Sequence, residues 1–363
     1  MTAPPAALGY RMPAEWEPHE ATWIVWPHLR KDWPGKFACI PWVFAEIVRH
    51  LHYSERVRIL VNDVQTERRA RRLLSKAGVD LGRLEFYPIA SNRVWIRDSG
   101  PLFITQKGGQ VATTDWKFNA WAKYADWQLD DAIPGQIAKA LGMSGWKPTA
   151  GSQRVVLEGG SIDVNGQGLL LTTEECLLDR VQARNPGLGR TDLERVFADY
   201  VGVRKVLWLG RGIAGDDTHG HVDDLARFVT PRIVVTVFEE NRADVNYEPL
   251  QENLQRLRQM TDLENRPLEV VTLPMPDPVW FAGQRLPASY ANFYIANDRV
   301  LMPTFNDSKD RRALGILADL FPGRTVVGIH AVDLVWGLGT LHCLTQQQPS
   351  AVNPRPAWAE GAG

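Results

Sequence analysis

Five times in this 363-residue chain an extended apolar run meets a short cluster of polar residues and glycine. The five runs are Val94–Ile104, Val155–Val164, His219–Val229, Ser289–Ile295 and Gly339–Thr345. With Asp98, Glu158, His221, Asn292 and Cys343 as markers, the successive intervals are 60, 63, 71 and 51 residues. Such intervals are long for a solenoid repeat and suit a supersecondary unit of strands plus a helix. Five units of this kind imply one closed, pseudo-symmetric α/β domain, its sheets set radially and its polar clusters gathered at the axis.

Local patterns supply both parts of each unit. Ile162–Val164 and Leu169–Thr173 flank Asn165-Gly-Gln-Gly168, a strong hairpin turn. Leu225–Thr230 with Ile233–Phe238, and Ala291–Ala296 with Val300–Pro303, predict two further hairpins. Between them, Trp42–His52 carries Phe44, Ile47, Val48 and Leu51 at helical spacing. Gln65–Ala77, Tyr247–Leu263 and Lys309–Leu320 are similar. Thr191-Asp-Leu-Glu194 predicts a capping box that opens a helix with Leu193, Val196, Phe197, Tyr200 and Val201 on one face.

A doubly wound nucleotide-binding arrangement is the alternative, because Gly210-Arg-Gly212-Ile-Ala-Gly215 follows the apolar Val206–Leu209. The residues after it, Asp216-Asp217-Thr-His-Gly220, read as a polar loop and not a helix. Two carboxylates there would repel a pyrophosphate, so the glycines read as a turn.

Lys and Arg total 41 against 42 Asp and Glu, and this near-neutral balance gives no electrostatic reason to expect nucleic acid or a membrane surface. No apolar run is long enough to span a bilayer, and Met1–Leu8 lacks the pattern of a secretory leader. Three cysteines, Cys39, Cys176 and Cys343, form neither a disulfide framework nor a zinc ligand set. The expected compartment is the cytoplasm.

Cys343 is the candidate nucleophile. It lies beside the Gly-rich Gly337–Gly339 and ahead of the polar Gln346–Gln348, a context that core packing explains poorly. A thiolate attacks electron-poor carbon once something lowers its pKa or takes its proton. His221 and Asp223, two apart at the start of an apolar strand, would share one face and point into one pocket. Asp98 and Glu158 mark two other units, each beside glycines. Three carboxylates and a histidine converging on a thiol suit a delocalised planar cation, because a guanidinium offers its donors in a fork that carboxylates accept. Among the fourteen tryptophans, Trp95, Trp116 and Trp336 lie close to acidic residues or glycines, so some of them could line a pocket for a cation with an apolar body. A competing reading is a metal centre on His219-Gly-His221-Val-Asp223, which supplies part of a ligand shell and leaves Cys343 without a role.

Seven ordered motifs carry a resemblance to a known family. They are Met12–Trp23, Trp95–Pro101, Phe118–Trp121, Leu157–Ser161, Gly220–Asp223, Ala288–Asn297 and His342–Pro349. Together they resemble the agmatine deiminase family, which includes the bacterial peptidylarginine-deiminase-like proteins, from about residue 10 to 350. The resemblance implies the pentein fold, a five-bladed α/β propeller, as one domain over residues 1–363, with flexible tails at 1–9 and 351–363. It implies Cys343 as nucleophile, His221 as general acid and base, Asp98 and Asp223 as guanidinium-binding carboxylates, and Glu158 as the carboxylate orienting the histidine. Trp95 and Trp121 fall at substrate-binding positions. The implied reaction is hydrolysis of a small guanidine, agmatine, to N-carbamoylputrescine and ammonia through a thiouronium adduct on Cys343, without metal or organic cofactor, in a protein that the family suggests is a homodimer.

Several positions depart from the family pattern. Gly337-Leu-Gly-Thr-Leu-His-Cys343 stands where the family has Gly-Gly-Gly-Asn-Ile-His-Cys. His219 replaces an Asp, and Trp121-Ala-Lys123-Tyr replaces a Trp-Gly-Gly-like segment. These changes bear on the substrate's tail, so the alternatives are deimination of arginine, peptidyl arginine or another guanidino compound, or amidino transfer to an amine. A non-catalytic binding protein on the same scaffold is the non-enzyme alternative.

Overall fold

The computed structural model describes residues 3–351, within which five small sheets repeat one pattern. The first unit holds β1 (His19–Val25), α1 (Ile40–Leu51), β2 (Arg56–Leu60), α2 (Val64–Lys76) and β3 (Leu84–Tyr87), with the three strands parallel. The second holds β4 (Leu102–Gln106), β5 (Val111–Thr114), α3 (Ile133–Leu141) and β6 (Gly145–Trp146). The third holds β7 (Asp163–Val164), β8 (Leu169–Thr173), α4 (Arg190–Val201) and β9 (Lys205–Leu209). The fourth holds β10 (Ala226–Phe228), β11 (Ile233–Phe238), α5 (Tyr247–Gln259) and β12 (Glu269–Pro274). The fifth holds β13 (Tyr294–Ile295), β14 (Arg299–Thr304), α6 (Asp310–Leu320) and β15 (Thr325–His330). In units two to five a first strand pairs antiparallel with the middle strand, which pairs parallel with the last. A parallel pair needs a crossover, and the helix supplies it. This is the five-bladed α/β propeller that the recurrence and the family resemblance predicted.

β16 (Gln346–Pro349) closes the ring by pairing antiparallel with β1, so the C-terminal strand completes the N-terminal blade. The closure buries the glutamine run that the sequence presented as a polar feature. Gln346, Gln347 and Gln348 are all under 7% exposed, and the amides of the last two find partners. Gln348 Oε1 accepts from Trp23 Nε1 at 3.0 Å, and Gln347 Oε1 accepts from Arg97 at 2.7 Å. Middle strands are covered on both faces, which is why Leu169–Leu171, Val234–Val237 and Val300–Met302 read as unbroken buried runs.

Three expectations shift. The helix predicted from Thr191 begins earlier, at Arg190, and half of the box forms two residues back: Gly189 N–H donates to Asp192 at 3.0 Å, and Glu194 instead accepts from Trp208 Nε1 at 2.8 Å. The helix over Tyr247–Leu263 stops at Gln259, because Met260 turns extended and its carbonyl accepts from Leu268 N–H. The N-terminal stretch expected to be a loose tail is seated: Pro5–Leu8 form a single helical turn packed on α4, and Leu8 O accepts from Gln106 Nε2 at 2.7 Å. Residues 352–363, most of the other expected tail, lie outside the described residues.

Candidate active site

Each blade delivers its marker just ahead of its first strand. Asp98 lies on a single helical turn (Ile96–Ser99) before β4, and Glu158 caps a turn (Gly159–Ser161) before β7. His221 caps the turn Val222–Asp224 before β10, Asn292 precedes β13, and Cys343 precedes β16. His221 and Asp223 therefore reach one pocket from a turn, where the sequence pattern predicted the start of a strand. The tight turn brings His221 Nδ1 to 4.0 Å from Asp223 Oδ1.

The markers converge. His221 Nδ1 is 3.8 Å from Asp98 Oδ1, and its Nε2 is 3.7 Å from Glu158 Oε2. Cys343 Sγ accepts from Asn292 Nδ2 at 3.1 Å and lies 3.7 Å from Asp223 Oδ2. Every one of these residues is under 7% exposed. Each carboxylate has at least one oxygen anchored. Asp98 accepts from Gly160 N–H on Oδ1 and from Trp121 Nε1 on Oδ2, at 3.0 and 2.9 Å. Glu158 Oε1 takes Arg184 Nε at 3.1 Å, and Asp223 Oδ2 takes His342 Nδ1 at 2.7 Å. Among the described residues, Glu158 Oε2 and Asp223 Oδ1 have no hydrogen-bond partner, and neither ring nitrogen of His221 has one. Buried polar atoms are normally satisfied, so the two unmet carboxylate oxygens mark where a ligand's donors belong.

Charge follows geometry. Burial opposes the His221 cation, but the surrounding anions, Asp98 foremost, raise its pKa well above the ordinary value. Burial lifts the Asp98 carboxyl to about 6. Burial also acts on Glu158, yet Arg184 and His221 overcome it and hold that carboxyl at about 2. Burial pushes the Cys343 thiol well up, and Asp223, Asp224 and Asp98 add to the shift. The resting site is thus an imidazolium, ionised carboxylates and a protonated thiol.

A cavity of about 360 Å³ opens onto Cys343 and Asp98. Trp95, Trp121 and Trp336 line it, whereas Trp116 is buried in the second core cluster, its Nε1 on Thr114. Trp121 meets Phe118 edge-on at 5.3 Å, and Trp95 lies 5.7 Å from Trp33, so both rings are braced from behind. Gly339 is required at this wall, since a Cβ there would sit 2.8 Å from the Trp95 ring.

Comparison with known proteins agrees with this arrangement. Residues 11–349 match the family described as Porphyromonas-type peptidyl-arginine deiminase. Agmatine deiminase of Pseudomonas aeruginosa (strain LESB58) is 36% identical, over 98% of this chain and 99% of that protein. The chain belongs to this family. The structure of the Enterococcus faecalis agmatine deiminase catalysing its reaction superposes with a TM-score of 0.89 at 34% identity, covering 97% of this chain and 99% of that one. The C. jejuni agmatine deiminase with substrate bound gives 0.81 at 27% identity, over 93% and 96%.

All five candidate catalytic positions and both candidate tryptophans fall at this family member's cavity or directly behind it. His219 does not. It adopts φ +64° beside Gly220 at +88°, which swings its ring outward to within 3.7 Å of Asp179. The His219, His221 and Asp223 grouping is therefore not assembled; Cys176 instead stands with Glu158 and His221, their ligand atoms within 4.8 Å. The Gly210–Gly215 string forms a turn, as read. Asp216 behind it accepts from Thr218, Gly220 and His221 N–H groups at 2.7, 2.8 and 3.1 Å, and so aims His221. Sequence reasoning missed Arg184, Glu15 and the role of His342, which act from behind the pocket. It quoted Gly160 without a role. A Cβ at Gly160 would lie 2.7 Å from His221 Nδ1, 2.8 Å from Asp98 Oδ1 and 3.0 Å from Asp223 Oδ2.

Two outcomes are expected. Gly160→Ala should fold but lose about 100-fold or more of any activity of this site, because the methyl displaces three of its groups at once; circular dichroism and turnover measure both halves. Alkylation of Cys343 by iodoacetamide should be slow at neutral pH in the unliganded protein and still climbing as pH passes the ordinary thiol value of 9.0, since the raised pKa keeps the sulfur protonated below it. Peptide mapping separates Cys343 from Cys39 and Cys176. A rate that levels off below pH 8 would contradict this electrostatic picture.

Proposed function

We propose that this protein is a guanidine deiminase whose substrate is agmatine, hydrolysed to N-carbamoylputrescine and ammonia. The observation that carries the reading is the set of unmet acceptors, Glu158 Oε2 and Asp223 Oδ1, beside the thiol of Cys343. A guanidinium supplies the missing donors and one positive charge, and its central carbon is the electrophile a thiolate attacks. The deiminase names and the substrate-bound structure among relatives support the same chemistry.

The chain's residues have the following roles in that mechanism. Asp98, Asp223 and the free oxygen of Glu158 hold the cation against Trp95 and Trp121. Its charge offsets the anions that keep the thiol protonated, so Cys343 ionises when substrate is bound. The sulfur attacks the guanidinium carbon. His221, an imidazolium in the resting site, gives its proton to the departing nitrogen, and ammonia leaves. The neutral imidazole, oriented by Glu158, then takes a proton from water, whose oxygen attacks the thiouronium carbon. Collapse expels Cys343 and leaves the ureido product.

The tail decides between guanidines. Beyond Asp98, which holds the guanidinium, three acids line the cavity, Asp32, Asp126 and Asp217, against the two bases Lys31 and Arg93. That excess favours agmatine's terminal ammonium over a carboxylate. Arginine or another guanidino acid is the second reading, favoured by Arg93, whose Nε is buried without a hydrogen-bond partner among the described residues. The protein is read as a single pentein domain in the cytoplasm and, on the family's precedent, as a homodimer. No helix among the described residues is long and apolar enough to cross a membrane.

Parallel kinetics on agmatine, arginine and guanidino acids test the tail. Agmatine should lead arginine by at least about tenfold in kcat/KM, roughly 1.4 kcal/mol. Equal or better turnover of a carboxylate-bearing substrate would transfer the assignment to the second reading. Ammonia and ureido product should form one to one with no amine acceptor present, which separates hydrolysis from amidino transfer. Cys343→Ser should lose about 10³-fold or more of turnover while remaining folded, and mass spectrometry of the quenched wild-type reaction should find the adduct on the Cys343 peptide.

A further inference from the structure

We infer that His342 and Glu15 form a buried positioning dyad that fixes Asp223 and presents its free oxygen to the substrate. This rests on the guanidine-binding reading of the site and goes beyond it by assigning a role to two side chains that do not line the cavity.

The geometry is specific. His342 Nδ1 is 2.7 Å from Asp223 Oδ2, and its Nε2 is 2.8 Å from Glu15 Oε2. All three side chains are at most 4% exposed. An ionised carboxylate only accepts, so both contacts are made by ring N–H groups, and the imidazole bridges two anions as a cation. One oxygen of Asp223 is thereby committed to His342, and the other, Oδ1, has no hydrogen-bond partner among the described residues. The carboxylate cannot rotate to satisfy Oδ1 without breaking a charge-assisted hydrogen bond.

Glu15 is in turn fixed from several sides. Its Oε1 accepts from Ile295 N–H at 2.8 Å. Its Oε2 is 2.9 Å from Arg227 and 3.3 Å from Arg97. Arg97 also donates to His342 O at 3.2 Å and to Gln347 at 2.7 Å, so the dyad is tied to both the residue before the nucleophile and the closing strand. Such an assembly fixes a rotamer more tightly than packing alone.

Asp223 is surrounded by groups of both signs. His342, His221 and Arg227 oppose the burial that would otherwise raise its pKa, and the net shift is downward. Asp224, Asp98 and Cys343 face it as present or potential anions. Without His342, one of the three cationic supports is lost and the anionic neighbours remain. Asp223 then takes up a proton at a higher pH and grips a guanidinium less well.

His342→Gln, which keeps a single donor, and His342→Ala are compared with wild type, with Glu15→Gln as the outer member. The expected losses in kcat/KM are about tenfold for His342→Gln and Glu15→Gln and about 100-fold for His342→Ala, expressed more in KM than in kcat. The acid limb of kcat/KM should move to higher pH in the same order. The second readout needs no turnover: the side-chain carboxyl carbon of Asp223, followed by NMR in the unliganded protein, should titrate at higher pH in His342→Gln than in wild type. If wild type hydrolyses no guanidine compound, the activity reading falls while the carboxyl titration still decides the dyad. An unmoved Asp223 titration in folded His342→Gln overturns the inference. So does a drop in melting temperature with the pH profile unchanged, which is what a merely structural histidine would give.

Discussion

The ring of buried carboxylates is the constraint on which the rest of this molecule depends. Asp98, Glu158, Asp223 and Asp224 are each no more than 4% exposed, and they face one another near the axis of a closed propeller. Like charges at such distances, out of water, are strongly unfavourable unless each is compensated. Compensation comes from the layer behind the pocket. Arg184, wholly buried, answers Glu158, and its remaining donors go to the carbonyls of Gln182 and Thr218. His342 answers Asp223, and Asn292 donates to Asp224 at 3.0 Å. Taking away a single such partner would leave a buried charge uncompensated, at a cost of about 3–5 kcal/mol. The acids at the axis thus dictate the bases behind them.

Compensation is incomplete by design of the contacts, and the shortfall is what the site offers a ligand. Arg184 uses one oxygen of Glu158, His342 one oxygen of Asp223, and the opposite oxygens are left bare beside His221. A planar cation completes the set; an anion or a neutral molecule does not. The same electrostatics hold the Cys343 sulfur in reserve. A thiol pressed by burial and three acids stays protonated until a positive charge arrives, so reactivity toward stray electrophiles is low in the empty site.

Much of this was legible in the sequence, because the fold is repetitive and the site follows the repeat. Five recurrences of strand and polar cluster predicted five blades, and the residues that interrupt the apolar runs, Asp98, Glu158, His221, Asp223 and Cys343, are the ones that meet at the axis. The glutamate and the arginine that stabilise them from behind were harder to see. Glu15 and Arg184 lie in loops without periodicity, and nothing in a linear pattern says which distant acid a buried base will face. His342 had a signal, its place beside Cys343, but a strand-like alternation would have turned it away from the site. The turn ahead of β16 sends it instead toward Asp223. His219 misled for the same reason in reverse: spacing of two suggests a shared face, and the positive φ at His219 and Gly220 cancels it.

The closing strand joins folding to chemistry. Cys343 sits three residues before β16, and β16 exists as a strand only when paired with β1 from the other end of the chain. Arg97 spans that junction. Its backbone N–H donates to Cys343 O at 3.3 Å, and its guanidinium reaches His342 O, Gln347 and Glu15. Glu15 comes from the N-terminal segment, Arg97 from the second blade, and His342 and Gln347 from the C-terminal one. The groups that aim Asp223 and place the thiol are therefore contributed by segments more than 300 residues apart, and they come together at the one seam where the ring is joined. Blades with their own helices and strands could form beforehand. Asp223 would then be in place before His342, its partner from the closing segment, an arrangement disfavoured by several kcal/mol, so electrostatics at the axis and strand pairing at the seam favour the same event. A propeller left open at β1 and β16 would keep its fold class in each blade and have no assembled site.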